Sequence, residues 1–356
     1  MTTLDPAKLE ATVKRVYDML GGAVIAGMIH LGDRLGLYRA LAAAGVVTSA
    51  DLATRTGLHE RWVREWLRGQ AAAGLVDYAG DGRFALSAEA VHVLADESSP
   101  FFAAGGFDGL PAQMAVLERL PEAFRTGLGL PYDAFGADGT RAVERMLAPW
   151  FRTMLVPLAL PALDGVVAKL AAGARVADVG CGTGVAVIEM AKAFPRSSFG
   201  GYEISRHALA RAAENRAAAG IANVTFHDAA RDPLPADASC DLITTFDCLH
   251  DMAHPATVIR AIRQAIKPDG TWLIGDVKSK PTFEENVRDN PMAAMMYGFS
   301  VLSCMSSALS EPNGAGLGTL GLTEKLARTM TREAGFTRFR RLDIEHPMNA
   351  YYEVRP

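Results

Sequence analysis

Val176-Ala-Asp-Val-Gly-Cys-Gly-Thr-Gly184 decides the fold of this 356-residue chain. An apolar, strand-forming run passes straight into a glycine turn, and helical periodicity resumes at Val185 and continues to Phe194. Glycines at such a junction permit positive φ and let backbone approach a ligand closely. A dinucleotide fingerprint would need Gly or Ala where Val185 stands, and a phosphate loop would need a Gly-Lys-Ser/Thr ending, which is absent. The turn suits a nucleoside ligand without pyrophosphate better than NAD or ATP.

Downstream, SSFGGY, NVTFH, CDLITTF and GTWLIGDV read as strands, while Ser205 to Ala219 and Ala256 to Ile266 have helical periodicity. Such alternation predicts a doubly wound parallel sheet. FTRFRRLDI and MNAYYEV read as two final strands after a helix over Thr323 to Ala334. Ligands of open α/β sheets sit at the carboxyl ends of strands, where this chain carries polar clusters. Glu203 ends the second strand, 19 residues after Gly184, spaced to accept from ribose hydroxyls. His227-Asp228 ends the third, where an acid accepts from an adenine amino group or caps a helix. Phe246-Asp247-Cys-Leu-His250-Asp251 ends the fourth.

Upstream, Asp5 to Ala44 reads as two helices with a break at Gly32. Thr48 with Asp51 opens a helix that Gly57 stops, and another runs from His59 to Gly74. Two strand-like runs flanking Gly80-Asp-Gly82 complete the outline of a winged helix. Residues 88–172 are helical by pattern and broken by prolines. The expected division is a helical and winged-helix domain at 1–97, a helical connector at 98–172 and the sheet domain at 173–356.

A net charge of −4, with 49% apolar and 21% charged residues, excludes disorder, collagen and a disulfide scaffold. It gives no electrostatic case for a nucleic-acid or anionic-membrane partner. Cys181, Cys240, Cys248 and Cys304 lack metal-site spacing, so no metal is expected, and reduced thiols in the cytoplasm are the simplest reading. MTTLDPAKLE lacks the apolar core of a secretory signal, and Gly21 to Leu31 is too short to span a bilayer.

VADVGCGTG with Glu203 and Asp228 resembles the class I S-adenosylmethionine-dependent methyltransferases, whose fold is a Rossmann-like seven-stranded sheet. GDRLGLYRAL, ADLATRTGLHERWVREWL, FDCLHDMAHP and AGFTRFRR extend the resemblance to actinobacterial methyltransferases with an amino-terminal winged helix. The layout is similar to small-molecule O-methyltransferases, which implies a homodimer whose winged helix lines the acceptor pocket. The resemblance also implies that Asp178, Gly180, Cys181, Gly182 and Gly184 cradle the methionine part of the cofactor. Glu203 would take the ribose, Asp228 and Ala229 the adenine, and Asp247 would help close the site.

On the acceptor side, His250 has the near-neutral pKa that suits proton removal from a hydroxyl or ammonium acceptor. Asp251 is its expected orienting acid, or else the start of the next helix. Plant-type O-methyltransferases would place a basic histidine after the fifth strand, but IGDVKSKPTFEEN holds none. Proton removal then falls to His250, to Glu284 or Glu285, or to no residue at all. The methionine- and aromatic-rich stretch Asn286 to Ser310 reads as a lid or as a packing helix. Asn286, Tyr297 and Ser300 are its polar points toward a pocket, with Cys304 as the one thiol outside a purely structural role. The function this predicts is O- or N-methylation of a small, partly apolar molecule. The alternatives are a cofactor-sensing DNA-binding regulator and a non-catalytic scaffold. Against the regulator, residues 1–100 carry 10 basic and 12 acidic side chains, and Trp62 and Trp66 alternate with Arg61, Arg64 and Arg68.

Overall fold

The computed structural model describes residues 4–356, which form two compact units that divide between Pro111 and Ala112. In the first unit Asp5 accepts from the amides of Ala7 and Lys8 and starts a helix, Pro6–Arg34, with Pro6 at its first turn. The expected break at Gly32 does not occur, and the helix ends just before Gly36. Gly32 is small for packing: a Cβ there would lie 2.4 Å from Trp66 Cζ2 and 2.8 Å from Tyr38 Cε2. Helices Leu37–Ala44, Ser49–Thr56 and Glu60–Ala72 follow, the middle one opened by a reciprocal Thr48–Asp51 capping box.

Strands β1 (Val47–Thr48), β2 (Asp77–Gly80) and β3 (Arg83–Ala85) form a small antiparallel sheet in the order β1-β3-β2. Leu37, Leu41, Leu52 and Leu67 fill the core with Tyr38 and Trp66. The Tyr38 hydroxyl donates to Gln70, and the Trp66 indole donates to the Met28 carbonyl at 2.9 Å. Leu9, Val13, Val16, Leu20 and Val24 remain exposed along the first helix, at spacings of three and four that place them on one stripe.

The second unit is built on a seven-stranded sheet. Its strands are β4 (Arg175–Val179), β5 (Ser198–Glu203), β6 (Val224–Asp228), β7 (Cys240–Phe246), β8 (Ile266–Val277), β9 (Arg338–Arg341) and β10 (Asn349–Arg355). The order is β6-β5-β4-β7-β8-β10-β9. Strands β4 to β8 run parallel, and β10 runs antiparallel to both neighbours. Alternating side chains feed two cores, since Leu273 packs with Val176 and Met190 on one face while Trp272 and Ile274 pack with Ile259 and Ile262 on the other.

The strand order reverses between β4 and β7, and the crevice at their carboxyl ends is where such sheets bind ligands. Two helical stretches, Phe151–Ala159 and Ser300–Cys304, are wound in wide π turns, a form that concentrates at functional sites. Among the described residues no helix is long and apolar enough to cross a membrane.

Candidate active site

The glycine turn leaves β4 and is clamped from β5. The amides of Gly180 and Cys181 both donate to the Tyr202 carbonyl, at 2.8 and 3.1 Å. Gly180 is fixed by packing, because a Cβ there would sit 2.7 Å from Cys248 Sγ. Gly182 has φ +54 and no heavy atom near its Cβ position, so its bare backbone faces open space. Glu203 is buried and already accepts three backbone amides, from Gly182 at 2.9 Å, Ile204 at 2.7 Å and Ser205 at 2.9 Å. The acid that faces the turn thus also holds its shape.

Asp178 is 1% exposed and accepts from the Thr244 hydroxyl at 2.6 Å, while its second carboxylate oxygen is buried with no partner. Burial pushes its pKa up to about 7, against the lowering effect of Thr244. An orphaned carboxylate oxygen at the base of the turn is a receptor for a cationic donor. Asp228 is more local: it caps its own turn through Ala230 N at 3.1 Å and meets Arg231 at 3.4 Å, while Ala229 N donates to the Glu203 carbonyl at 2.9 Å. Cys181 and Cys248 are buried, and desolvation raises both thiols well above the ordinary value.

His250, 3% exposed, follows β7. Its Nδ1 meets Asp276 Oδ1 at 2.6 Å, from the end of β8. The acid that holds the imidazole is therefore Asp276 and not Asp251, because the carboxyl ends of β7 and β8 are adjacent in the sheet. Asp276 Oδ1 also accepts from Val277 N at 2.7 Å, and its Oδ2 is buried without a partner. Burial disfavours the imidazolium, but Asp276 and a hydrogen bond with Cys304 outweigh it and hold the His250 pKa well above its usual value.

Asp247 has positive φ (+49), an uncommon state for a non-glycine residue, and accepts from Asn349 Nδ2 at 2.6 Å. Burial raises Asp247 and Asp251 each to about 7.

The remaining acceptor-side residues divide. Cys304 reaches His250, whereas Asn286 is turned into its own loop, bonding Lys280 N and the carbonyls of Lys280 and Thr282. The Ser300 hydroxyl accepts from Thr319 N at 3.2 Å and so clasps the glycine loop, whose Gly318 N donates to the His250 carbonyl. Tyr297 packs against Phe283 with ring centroids 5.7 Å apart and the rings tilted by 52°. Glu284 and Glu285 lie in the first turn of the helix Phe283–Asp289, where Glu285 closes a capping box with Thr282.

The sequence reading missed Tyr132 and Asp133. Asp133 accepts from the Ser205 hydroxyl at 2.5 Å beside Glu203, and Tyr132 lies within electrostatic reach of Glu203, Asp251 and Cys304, its hydroxyl pKa raised by desolvation. The same segment is pinned at its other end. Gly129 N donates to the Leu309 carbonyl at 2.9 Å and Leu130 N to the Ser306 hydroxyl at 2.8 Å. No local periodicity marks these residues, because their partners lie 72 to 180 positions away.

Residues 170–335 match a family described as a methyltransferase domain. The chain carries a methyltransferase domain. Ahead of this methyltransferase domain, residues 23–96 match an Rv2258c-like winged HTH domain. The mitomycin biosynthesis 6-O-methyltransferase of Streptomyces lavendulae is 36% identical over 118 residues, 33% of this chain and 34% of that protein. The curated relatives it matches are spanned over 34% to 56% of their length. Among solved structures, the mitomycin 7-O-methyltransferase MmcR superposes with a TM-score of 0.68 at 21% identity, covering 99% of this chain and 100% of that one. Human N-acetylserotonin methyltransferase, solved in complex with SAM, gives 0.67 at 16% identity, covering 100% and 99%. At these identities the superpositions establish the fold around the methyltransferase domain.

Proposed function

We propose that the protein is an S-adenosylmethionine-dependent methyltransferase that methylates a small, partly apolar molecule at oxygen or nitrogen. The observation that carries this reading is Asp178, a buried carboxylate with one oxygen lacking a partner at the base of an open glycine turn. That oxygen fits the ammonium of the cofactor's methionine part, the bare backbone at Gly182 leaves room for it, and Glu203 has lone pairs left for ribose hydroxyls. Asp228 and Ala229 border the adenine, and Asp247 closes the acceptor side. When bound, S-adenosylmethionine supplies an electrophilic methyl group on a sulfonium.

The chain's part is alignment and proton removal. Asp276 fixes the His250 ring through Nδ1, so proton removal from the acceptor falls to Nε2, in place of the Cys304 contact. Because Asp276 favours the imidazolium and holds the pKa high, His250 becomes a more available base as pH rises. The exposed stripe Leu9, Val13, Val16, Leu20 and Val24 supports a homodimer through the first helix, and four free cysteines support a reducing, cytoplasmic setting.

The test is transfer of label from methyl-labelled S-adenosylmethionine into a small-molecule cell extract, comparing wild type with His250→Ala. A labelled product made by wild type and lost or strongly reduced in the variant supports the reading. Binding of S-adenosylhomocysteine without any label transfer overturns the enzymatic part.

A further inference from the structure

A groove of about 640 Å³ in the second unit lies outside the residues assigned above, at the amino end of β10 and the start of the helix Glu324–Glu333. Its size is that of a site for a small organic molecule. Five basic side chains line it, Lys278, Lys280, Lys325, Arg328 and Arg341, against two acids, Asp289 and Glu324. The acids are already spoken for. Glu324 is paired with Arg328 at 3.0 Å and Arg341 at 3.3 Å, and Asp289 takes a two-pronged contact from Arg288 at 2.8 Å.

The lysines are left over. Lys280 and Lys325 make no ion pair among the described residues, and the Lys278 ammonium donates to a neutral carbonyl, that of His346. Ser279, between Lys278 and Lys280, has a buried hydroxyl without a partner. Met292, Met296, Met348 and Tyr352 form the apolar part of the lining. Three ammoniums outside any ion pair, of which Lys280 only feels the Asp289 carboxylate at longer range, and a spare hydroxyl beside adaptable methionines describe a receptor for a molecule with an anionic head and an apolar body.

We propose that this groove binds an amphipathic organic anion, its charged head among Lys278, Lys280 and Lys325 and its apolar part on Met292, Met296 and Tyr352. Lys278 lies two residues beyond Asp276 on the chain leaving β8, and Met348 directly precedes Asn349, which holds Asp247. The groove is therefore joined to the candidate active site through the chain at Lys278 and at Met348. Two sources share this chemistry: an acid group on the methyl acceptor itself, which rests on the function proposed above, or a separate anionic ligand.

The experiment is calorimetric titration of the full chain with octanoate and with octanol, which differ in charge at equal apolar length. It is repeated on a Lys280→Glu/Lys325→Glu double variant, two exposed positions with no structural bond to lose. The expected result is octanoate binding weakened about tenfold by the two reversals, with octanol changed less than about twofold. Equal affinities for the two probes, or octanoate binding indifferent to the reversals, overturn the proposal. S-adenosylhomocysteine affinity, measured on the same samples, reports separately on the cofactor site, so its absence would count against the function and not against the groove. Label transfer then separates the sources. A product that is itself anionic and whose formation falls with a raised KM in the double variant makes the acceptor the occupant, and a neutral product with unchanged KM assigns the groove to a second ligand.

Discussion

On the proposed function, Asp178 ties cofactor affinity to pH. With its pKa lifted to about 7 by burial, the carboxyl is half protonated at neutral pH in the free protein. A bound ammonium on its vacant oxygen requires the ionised form, so binding releases the proton that Asp178 holds. For a single group titrating at about 7, affinity for S-adenosylhomocysteine rises about tenfold between pH 6 and pH 8, equivalent to about 1.4 kcal/mol.

Isothermal titration at pH 6, 7 and 8, in two buffers of different ionisation enthalpy, measures both the affinity and the number of protons released. Asp178→Asn cannot ionise. It should flatten the pH dependence and, at pH 8, weaken binding by about 1.5 to 3 kcal/mol, the range for losing a charged hydrogen-bond partner. Two results would refute the reasoning: wild-type affinity independent of pH over this range, or an Asn variant that keeps the wild-type slope. A release of more than one proton would bring in Asp251, which titrates near the same pH.

Further consequences can be measured independently. Glu203→Ala should weaken S-adenosylhomocysteine binding by about 1.5 to 3 kcal/mol in calorimetry, because the carboxylate holds the Gly182 amide and, on the proposed function, meets the ligand. Asp276→Asn removes the charge that keeps His250 protonated, so the rise of kcat with pH should move to lower pH while kcat itself falls; an unmoved profile would remove the Asp276–His250 pair from the mechanism. Gly32→Ala forces a Cβ against Trp66 and Tyr38 and should cost about 1 to 3 kcal/mol in denaturant unfolding. A Val16→Glu/Leu20→Glu variant should sediment as a monomer where wild type at micromolar concentration sediments as a dimer.

Stability without ligand should follow the opposite pH trend. Asp178, Asp247 and Asp251 have folded pKa values above those of an unfolded chain, so the folded protein holds protons that the unfolded chain gives up between about pH 4 and 7. Their contribution falls as pH rises through that window. The His250–Asp276 pair acts in the same direction, its stabilisation being complete below the ordinary histidine pKa and lost as pH climbs through the raised one. Thermal melts of the ligand-free protein from pH 5 to pH 8 should show a declining midpoint, and one that rises across the whole range would contradict these assignments.

The parallel sheet and the glycine turn were legible because their signals are local. A strand, a tight turn and a helix are contiguous from Arg175 to Ala193, and Glu203 sits one crossover away. The break misplaced at Gly32 came from reading glycine as a backbone breaker where its reason is an indole from a later helix. Asp251 stood next to His250 in sequence and was the natural partner to expect, but the bond is made across the sheet by a residue 26 positions away. Asn286 was placed toward a pocket because polar residues in apolar stretches often face ligands, whereas here its amide satisfies the exposed backbone of a turn. What the sequence withheld was the set of partners chosen by tertiary contact.

The segment from Gly129 to Asp133 is tied to Ser306 and Leu309 at one end and to Ser205 at the other, and a Cβ on Gly129 would lie 2.0 Å from the Ser306 carbonyl oxygen. It works as a tether across two half-sites. A ligand that immobilises the Ser205 end spends part of the ordering that the Ser306 end would otherwise require, so the second ligand arrives at a lowered entropic charge. On the function proposed above, if the cofactor orders the Ser205 end and the acceptor the Ser306 end, reciprocity requires each to raise the other's affinity by the same factor. A tether of that kind would hold two substrates most tightly together and let go of each product more readily once the other has left.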